Sequence, residues 1–256
     1  MFTKAIVRPP GSNFTTGLTS VDLGSPDLKR ALEQHEAYCN ALETCGLEII
    51  RLAPDEEHPD STFVEDTAVL TPRGAVITRP GAAARQGEIK SIEPALREHF
   101  ADFQFIREPG TVDGGDVCDA GEHFFIGISE RTNEEGAEQL ARVLESFGYD
   151  SSLIDIRGTS NILHLKSGLA CLGGKRLVII DAFRDFEELS GYDVVFVNKA
   201  EEYAANCLQI NSKVLVAAGF NDTNTALEQL GYQTIALDMS EFQKMDGGLS
   251  CLSLRF

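Results

Sequence analysis

Five chemically capable residues recur at matching points of a weak internal repeat: Glu65, Asp113, His164, Asn206 and Cys251, spaced 42 to 51 residues apart. One repeated scaffold thus delivers a thiol, an imidazole and carboxylates. Cys251 follows Asp246-Gly-Gly-Leu-Ser250, whose glycines permit close backbone approach, and is read as opening the final strand. That address suits a nucleophile, although a lone cysteine at a strand start is more often a small core residue, and it is the matching position of His164 that shifts the balance. In Leu163-His-Leu165, strand alternation would send His164 to the face opposite its two leucines. Imidazole changes charge near neutral pH and needs a carboxylate to fix its tautomer, so a polar face shared with Cys251 and Asp113 points to general acid and base work. Taken alone, the histidine would be structural.

Carboxylates gather where the repeat units begin: Asp60, Glu65 and Asp66 in one, Asp113 and Asp116 in the next. Several of them facing one cavity are costly unless a cation binds among them. A guanidinium fits that need, because its planar donors match carboxylate oxygens in pairs. Turn and cap duties on a wet rim are the alternative for each acid. Arg85 and Arg131 also correspond between units, each just before a helical stretch. Together they would hold a carboxylate bidentately; as mere surface charges they would oppose the helix dipole.

The elements that must position these residues can be read from the same repeat. Phe63–Leu70 leads to Val76–Arg79, Thr111–Cys118 to Phe124–Ile128, Leu163–Ala170 to Leu177–Ile180, and Ala205–Ile210 to Val214–Ala217, each read as strand, turn, strand. Helical stretches are expected at Gln86–Phe100, Glu134–Phe147 and Asp222–Leu230. A fifth unit is split: Leu249–Leu254 ends the chain, while Lys4–Arg8 and a helix over Asp27–Thr44 begin it. Five units with complementary terminal halves favour a closed five-bladed α/β propeller over an open stack that needs polar caps. One domain over residues 1–256 is expected, its ends meeting and its site residues facing a common central cavity.

Composition sets softer bounds. With 22 basic against 40 acidic residues, the surface field repels phosphate backbones, so nucleic acid is excluded as a partner. The N-terminus enters a strand at once and no segment reaches membrane-spanning length, which places the chain in the cytoplasm, away from membranes. Six cysteines without a Cys-x-x-Cys pair, and five histidines in separate elements, support neither a disulfide framework nor a metal site.

At these residues the sequence resembles the dimethylarginine dimethylaminohydrolases of the guanidine-modifying, or pentein, superfamily. The resemblance runs almost end to end, through Gly17-Leu-Thr19, Pro59-Asp-Ser-Thr-Phe-Val-Glu-Asp66, Pro109-Gly-Thr-Val-Asp-Gly-Gly-Asp116, Arg131-Thr-Asn133, Leu163-His-Leu-Lys166, Tyr203-Ala-Ala-Asn-Cys207 and Asp246-Gly-Gly-Leu-Ser-Cys251. It implies hydrolysis of Nω-methylated arginines to citrulline and a methylamine, without a cofactor. Carried over residue by residue, it makes Cys251 the nucleophile, His164 the acid and base, and Asp113 the carboxylate that orients His164. Asp60, Phe63, Glu65 and Asp66 match the substrate-binding positions, and Arg85 and Arg131 match those that hold the substrate carboxylate. Leu18, in the matching flap, and Met245 supply backbone carbonyls for the α-amino group. Position 113 departs from the bacterial pattern, which carries Glu there. The implied partner is a small guanidine, and the assembly, whether single chain or homodimer, is left open. An arginine deiminase or citrulline hydrolase would use the same core residues; a deiminase generally carries a helical insertion for which this length leaves no room. An amidinotransferase would be longer, and a non-catalytic binding protein of this fold would have no reason to match Cys251 with His164.

Overall fold

The structure, a computed structural model describing residues 1–256, contains five three-stranded sheets. They fall into two compact units, residues 1–64 with 197–256 and residues 65–196.

The first unit holds two sheets. In one, Lys4–Val7 runs between Leu254–Arg255, its antiparallel neighbour, and Glu48–Arg51, its parallel one. Thr3 N donates to Phe256 O at 2.8 Å, so both termini complete the split repeat as expected. In the other, Lys213–Ala217 lies between Leu208–Ile210 and Gln233–Leu237 with the same pair of senses. Parallel neighbours need a long crossover. The helix Leu28–Thr44 supplies one; Asp27 caps it by accepting from Arg30 N at 3.0 Å, and Ala31, Gln34, His35, Tyr38 and Leu42 form its buried stripe. Tyr38 reaches the chain's last segment, with its hydroxyl 2.6 Å from Ser253 Oγ. Phe14, Phe63 and Phe242 meet edge to face and at tilted angles in the core of this unit.

The second unit repeats the plan three times. Its sheets are Ala68–Thr71 with Gly74–Ile77 and Phe103–Phe105, Val117–Asp119 with His123–Ile128 and Asp150–Asp155, and Leu169–Cys171 with Arg176–Ile180 and Asp193–Val197. In each the middle strand is almost wholly buried. The helix Glu134–Ser146 begins at Asn133, whose side chain accepts from Gly136 N at 2.8 Å, and carries Glu134 and Glu135 in the first turn, where the helix dipole favours them. The expected helix over Gln86–Phe100 is shorter, Ile89–Arg97. A 3₁₀ turn, Ala83–Arg85, ends at Gln86 just ahead of it, and Glu88 N bonds Arg85 O three residues back.

The strands begin later than the sequence suggests, and that is the main correction. Glu65 lies in the 3₁₀ turn Val64–Thr67, Asp113 caps the turn Gly114–Asp116, and His164 caps the short helix Leu165–Gly168. Asn206 ends the turn Lys199–Ala205, and Cys251 lies in the turn Ser250–Leu252. All five repeat positions therefore belong to a helical turn that delivers the chain into a strand, not to the strand itself. The physical reason is hydrogen bonding: side-chain carboxylates and amides from elsewhere accept the turn amides, as Asp66 Oδ1 does for Gly115 N and Asp116 Oδ1 for Leu165 N. No helix is long and apolar enough to cross a membrane.

Candidate active site

In the second unit, His164 is 94% buried and its Nε2 lies 3.0 Å from Asp113 Oδ2. Asp113, fully buried, uses its other oxygen to accept from Gly81 N at 2.8 Å, while its own amide donates to Thr132 Oγ1. The carboxylate is thereby fixed before it meets the imidazole. The ring packs directly on Gly115, where a Cβ would come within 2.7 Å of Nδ1. Behind it, Asp116 accepts from Ser129 Oγ and Thr132 Oγ1, each at 2.7 Å, and from Leu165 N at 2.9 Å, which anchors the residue next to His164.

Charge decides the protonation state. Burial alone would lower the affinity of His164 for its proton, but the carboxylates of Asp66, Asp116 and Asp113 outweigh it and raise the pKa to about 9. Burial raises that of Asp113, yet the bond to His164, the nearby Arg85 and the Gly81 amide bring it below the usual carboxylate value. Asp116 is pushed up by burial to about 6, a rise that the charge of His164 and the bonds from Thr132, Ser129 and Leu165 N offset only in part.

Arg85 is enclosed by the same acids. Its Nη1 bonds Asp66 Oδ2 at 2.6 Å, and Nε and Nη2 take both oxygens of Glu88 at 2.9 Å. Burial works against its charge, but Glu88 and Asp66 keep it fully ionised. Glu65 Oε1 pairs with Lys166 Nζ at 2.6 Å, again well buried. Arg131 differs: it is half-buried, its amide donates to Ser129 Oγ, and its guanidinium makes no ion pair. Its backbone meets Gly81, where a Cβ would lie 2.1 Å from Arg131 O, so only glycine lets the Asp113-bound segment pass. Asp66, Asp113 and His164 hold ligand atoms within 4.8 Å of one another, the one grouping here that could embrace a cation. The proton on His164 and the Arg85 guanidinium already supply positive charge to it.

The first unit gathers the remaining candidates. Asp60, 95% buried, accepts from Leu18 N with both oxygens, at 3.0 and 3.2 Å. Gly17 lies so close that a Cβ would be 2.4 Å from Asp60 Oδ1 and 3.1 Å from the Met245 methyl. The exposed loop after Leu18 is tied to the Met245 turn through Thr19 Oγ1 to Lys244 O and Ser20 N to Asp246 Oδ2. Phe63 packs beneath Gly247, which leads into the Cys251 turn. Cys251 itself is part-exposed, and Gly248 N donates to its Sγ at 3.4 Å.

A family model described as N,N dimethylarginine dimethylhydrolase, eukaryotic, matches residues 25–253. The chain is 44% identical to the N(G),N(G)-dimethylarginine dimethylaminohydrolase of Pseudomonas aeruginosa, with the whole of both chains covered. It belongs to the dimethylarginine dimethylaminohydrolase family. A second member, from Streptomyces coelicolor, is 35% identical over 98% of this chain and 96% of its own length. Among solved structures, a cysteine-to-serine mutant of the Pseudomonas aeruginosa protein complexed with citrulline matches with a TM-score of 0.97 over all of both chains, at 44% identity. The N-terminal domain of the arginine dihydrolase ArgZ matches at 0.88 with 18% identity and so speaks for the fold alone. The fold is the five-bladed α/β propeller, each blade one of the three-stranded sheets.

Against this family frame, sequence reasoning selected Glu65, Asp66, Arg85, Arg131, Asp113 and His164, which the second unit assembles, and Leu18, Asp60, Phe63, Met245 and Cys251, which the first does. It passed over Glu88, Gly115 and Lys166. The Gly-Gly pair within Asp113-Gly-Gly-Asp116 was a signal for close approach; nothing in the spacing of Glu88 or Lys166 announces a salt bridge.

Proposed function

We propose that the chain hydrolyses Nω-methylated L-arginines to L-citrulline and mono- or dimethylamine. The reading is supported by membership of the family and rests on one observation above the others: a buried histidine aligned by Asp113 at 3.0 Å and ringed by carboxylates whose charge favours its protonated form. An amine leaves a guanidinium carbon poorly unless it receives a proton, and this imidazolium is a proton donor held ready for that step.

The steps balance in atoms and charge. Cys251 Sγ, as thiolate, attacks the guanidinium carbon, a C–S bond forms, and the tetrahedral adduct carries the methylated nitrogen as leaving group. Nε2 of His164 is bound to Asp113, so Nδ1 passes its proton to that nitrogen; the C–N bond breaks and the amine departs. His164, now neutral, takes a proton from water, whose oxygen attacks the thiouronium carbon; the C–S bond then breaks as the adduct's hydroxyl proton passes to the released amine or to solvent, giving citrulline, the free thiolate and the regenerated imidazolium. Acid first and base second is the order that a histidine with a pKa of about 9 favours at neutral pH. Asp66 and Glu65 supply negative charge toward the guanidinium, Arg131 meets the α-carboxylate, and the carbonyls of Leu18 and Met245 take the α-amino group. Arg85, a buried hub between Asp66 and Glu88, contributes charge toward that carboxylate while holding Asp66 in place.

Incubation with asymmetric dimethylarginine, monomethylarginine, arginine and citrulline, with citrulline and amine release followed in parallel, tests the reading. Equal molar release of citrulline and dimethylamine is expected from dimethylarginine. Release of ammonia from arginine at a higher specificity constant would instead favour a deiminase.

A further inference from the structure

Asn206 marks the fourth blade at the point where other blades carry Glu65, Asp113, His164 and Cys251, yet the proposed chemistry gives it no part. It is 93% buried at the end of the 3₁₀ turn Lys199–Ala205. Its side chain engages the Cys251 turn twice: Nδ2 donates to Ser250 Oγ at 3.0 Å, and Oδ1 accepts from Ser250 N at 3.0 Å. It also lies flat against Gly248, where a Cβ would come within 2.5 Å of Oδ1 and 2.6 Å of Cγ. Gly248 is the residue whose amide donates to Cys251 Sγ, and its carbonyl accepts from Cys251 N at 3.2 Å. One turn of chain earlier, Tyr203 Oη donates to Gly247 O at 2.8 Å; burial, and then the neighbouring Cys251, push this phenol upward, so it stays a donor. A single element thus grips residues 247 to 250 at three successive points.

We propose that Asn206 is a positioning residue for the nucleophile: it braces Gly248 and Ser250 so that the Gly248 N–H is held against Cys251 Sγ, where it stabilises the thiolate. The inference rests on the reading of Cys251 as nucleophile. A backbone donor stabilises a thiolate only if its direction is fixed, since hydrogen bonds weaken steeply as the angle closes. The turn cannot fix that direction alone, because it contains two adjacent glycines, Gly247 and Gly248, with wide backbone freedom. An amide side chain suits the task better than a carboxylate: it pairs with a hydroxyl and an N–H at once and adds no negative charge beside a sulfur that must ionise. The same packing explains why position 248 is glycine: any side chain there would displace Asn206.

The test compares Asn206→Ala, Ser250→Ala and the parent in three measurements: kcat and KM for dimethylarginine, the pH midpoint for alkylation of Cys251 by a haloacetamidine, and folding by circular dichroism. Asn206→Ala should lower kcat by about 10²-fold with KM changed less than about threefold, and raise the alkylation midpoint by about one pH unit. Ser250→Ala, which keeps the N–H to Oδ1 bond, should move both in the same direction by less. A folded Asn206→Ala protein with kcat within about twofold of the parent and an unmoved midpoint overturns the inference. If Asn206→Ala does not fold, Ser250→Ala decides, and an unchanged midpoint with unchanged kcat is again a refutation. Cys251→Ser separates this from the reading beneath it: turnover surviving that change removes the nucleophile assignment itself, whereas a dead Cys251→Ser enzyme beside an unmoved Asn206→Ala removes only the brace.

Discussion

The two units hold their reactive residues by different means. Around His164 the contacts are ionic and buried: Asp66, Glu88, Asp113 and Asp116 face Arg85 and the imidazolium, and Glu65 faces Lys166. Around Cys251 no carboxylate takes part: Gly248 N bonds Sγ, the Asn206 amide bonds Ser250, Tyr203 bonds Gly247 O, and the one charged group, the Arg255 guanidinium, donates to Ser250 O at 3.0 Å. The contrast fits the roles proposed for His164 and Cys251. A general acid needs its proton held against the cost of burial, and only nearby negative charge does that. A thiol that must become an anion cannot be positioned by carboxylates without being silenced, so its turn is held by amides, a phenol and a guanidinium. Substitutions in the ionic region should therefore register in pH dependence and stability, and substitutions in the neutral region in rate.

The largest effect expected is on the neutral side. Cys251→Ser should lower kcat by more than about 10³-fold with an unchanged melting temperature, because the hydroxyl is a far weaker nucleophile and the swap leaves the turn's hydrogen bonds in place. A variant retaining a tenth of the parent rate would show that the thiol is not the attacking group.

On the ionic side the largest effect should be on folding. Arg85→Ala leaves Asp66 and Glu88 buried without their cation, a break that costs about 3–5 kcal/mol. The urea midpoint should fall accordingly, and Arg85→Lys should recover only part, since a point charge cannot match the two oxygens of Glu88 and one of Asp66 together. A midpoint within error of the parent would mean that the network is not worth what its burial implies.

Asp113→Asn tests the charge argument at the imidazole. The folded His164 pKa of about 9 lies above the ordinary 6.5, so the interaction stabilises the fold fully below about pH 6.5 and is lost as pH rises through about 9. Asp113, lowered from 3.8, is ionised through that window. The melting-temperature deficit of Asp113→Asn should be widest near pH 6 and shrink above about pH 9. In parallel, the alkaline limb of the parent's pH–rate profile should move down by about one unit in the variant. A deficit that grows with pH would reverse the sign and refute the assignment of the imidazolium as donor.

Much of this was legible in the sequence, and the failures have physical causes. The blades could be read because apolar runs such as Val76-Ile77 and Leu177-Val-Ile-Ile180 are the buried middle strands, and burial is what alternation and apolar runs encode. Cys251, His164 and Asp113 could be singled out as candidates because chemistry restricts residue type. The turns before the strands could not: Phe63-Val-Glu-Asp-Thr-Ala-Val-Leu70 has the composition of a strand, yet Val64–Thr67 is a 3₁₀ turn whose last carbonyls are taken from the next strand's end, Thr78 Oγ1 donating to Asp66 O and Thr78 N to Thr67 O. Arg85 and Arg131 show the same limit, for they correspond in the repeat and yet one is buried in a carboxylate cage and the other is half-exposed. A repeat preserves backbone position; it does not say which partners a side chain meets.

That last pair gives the smallest and most discriminating test of the comparison. Arg131 touches no acid, so Arg131→Ala should leave the urea midpoint within about 0.5 kcal/mol of the parent, in contrast to Arg85→Ala. Its effect should fall on substrate alone. If its guanidinium meets the α-carboxylate from a part-exposed position, the specificity constant for dimethylarginine should drop by about 1–2 kcal/mol, roughly five- to thirtyfold, mainly through KM. Methylguanidine, which lacks the amino-acid end, should be a poor substrate for the parent and no poorer for the variant. Arg131→Lys should restore part of the loss, because a part-exposed charge relies less on the planar fork than a buried one does. A fall in KM-based specificity that is equal for methylguanidine and dimethylarginine would place Arg131 in the support of His164, through its backbone contact with Gly81, and not at the carboxylate end of the substrate.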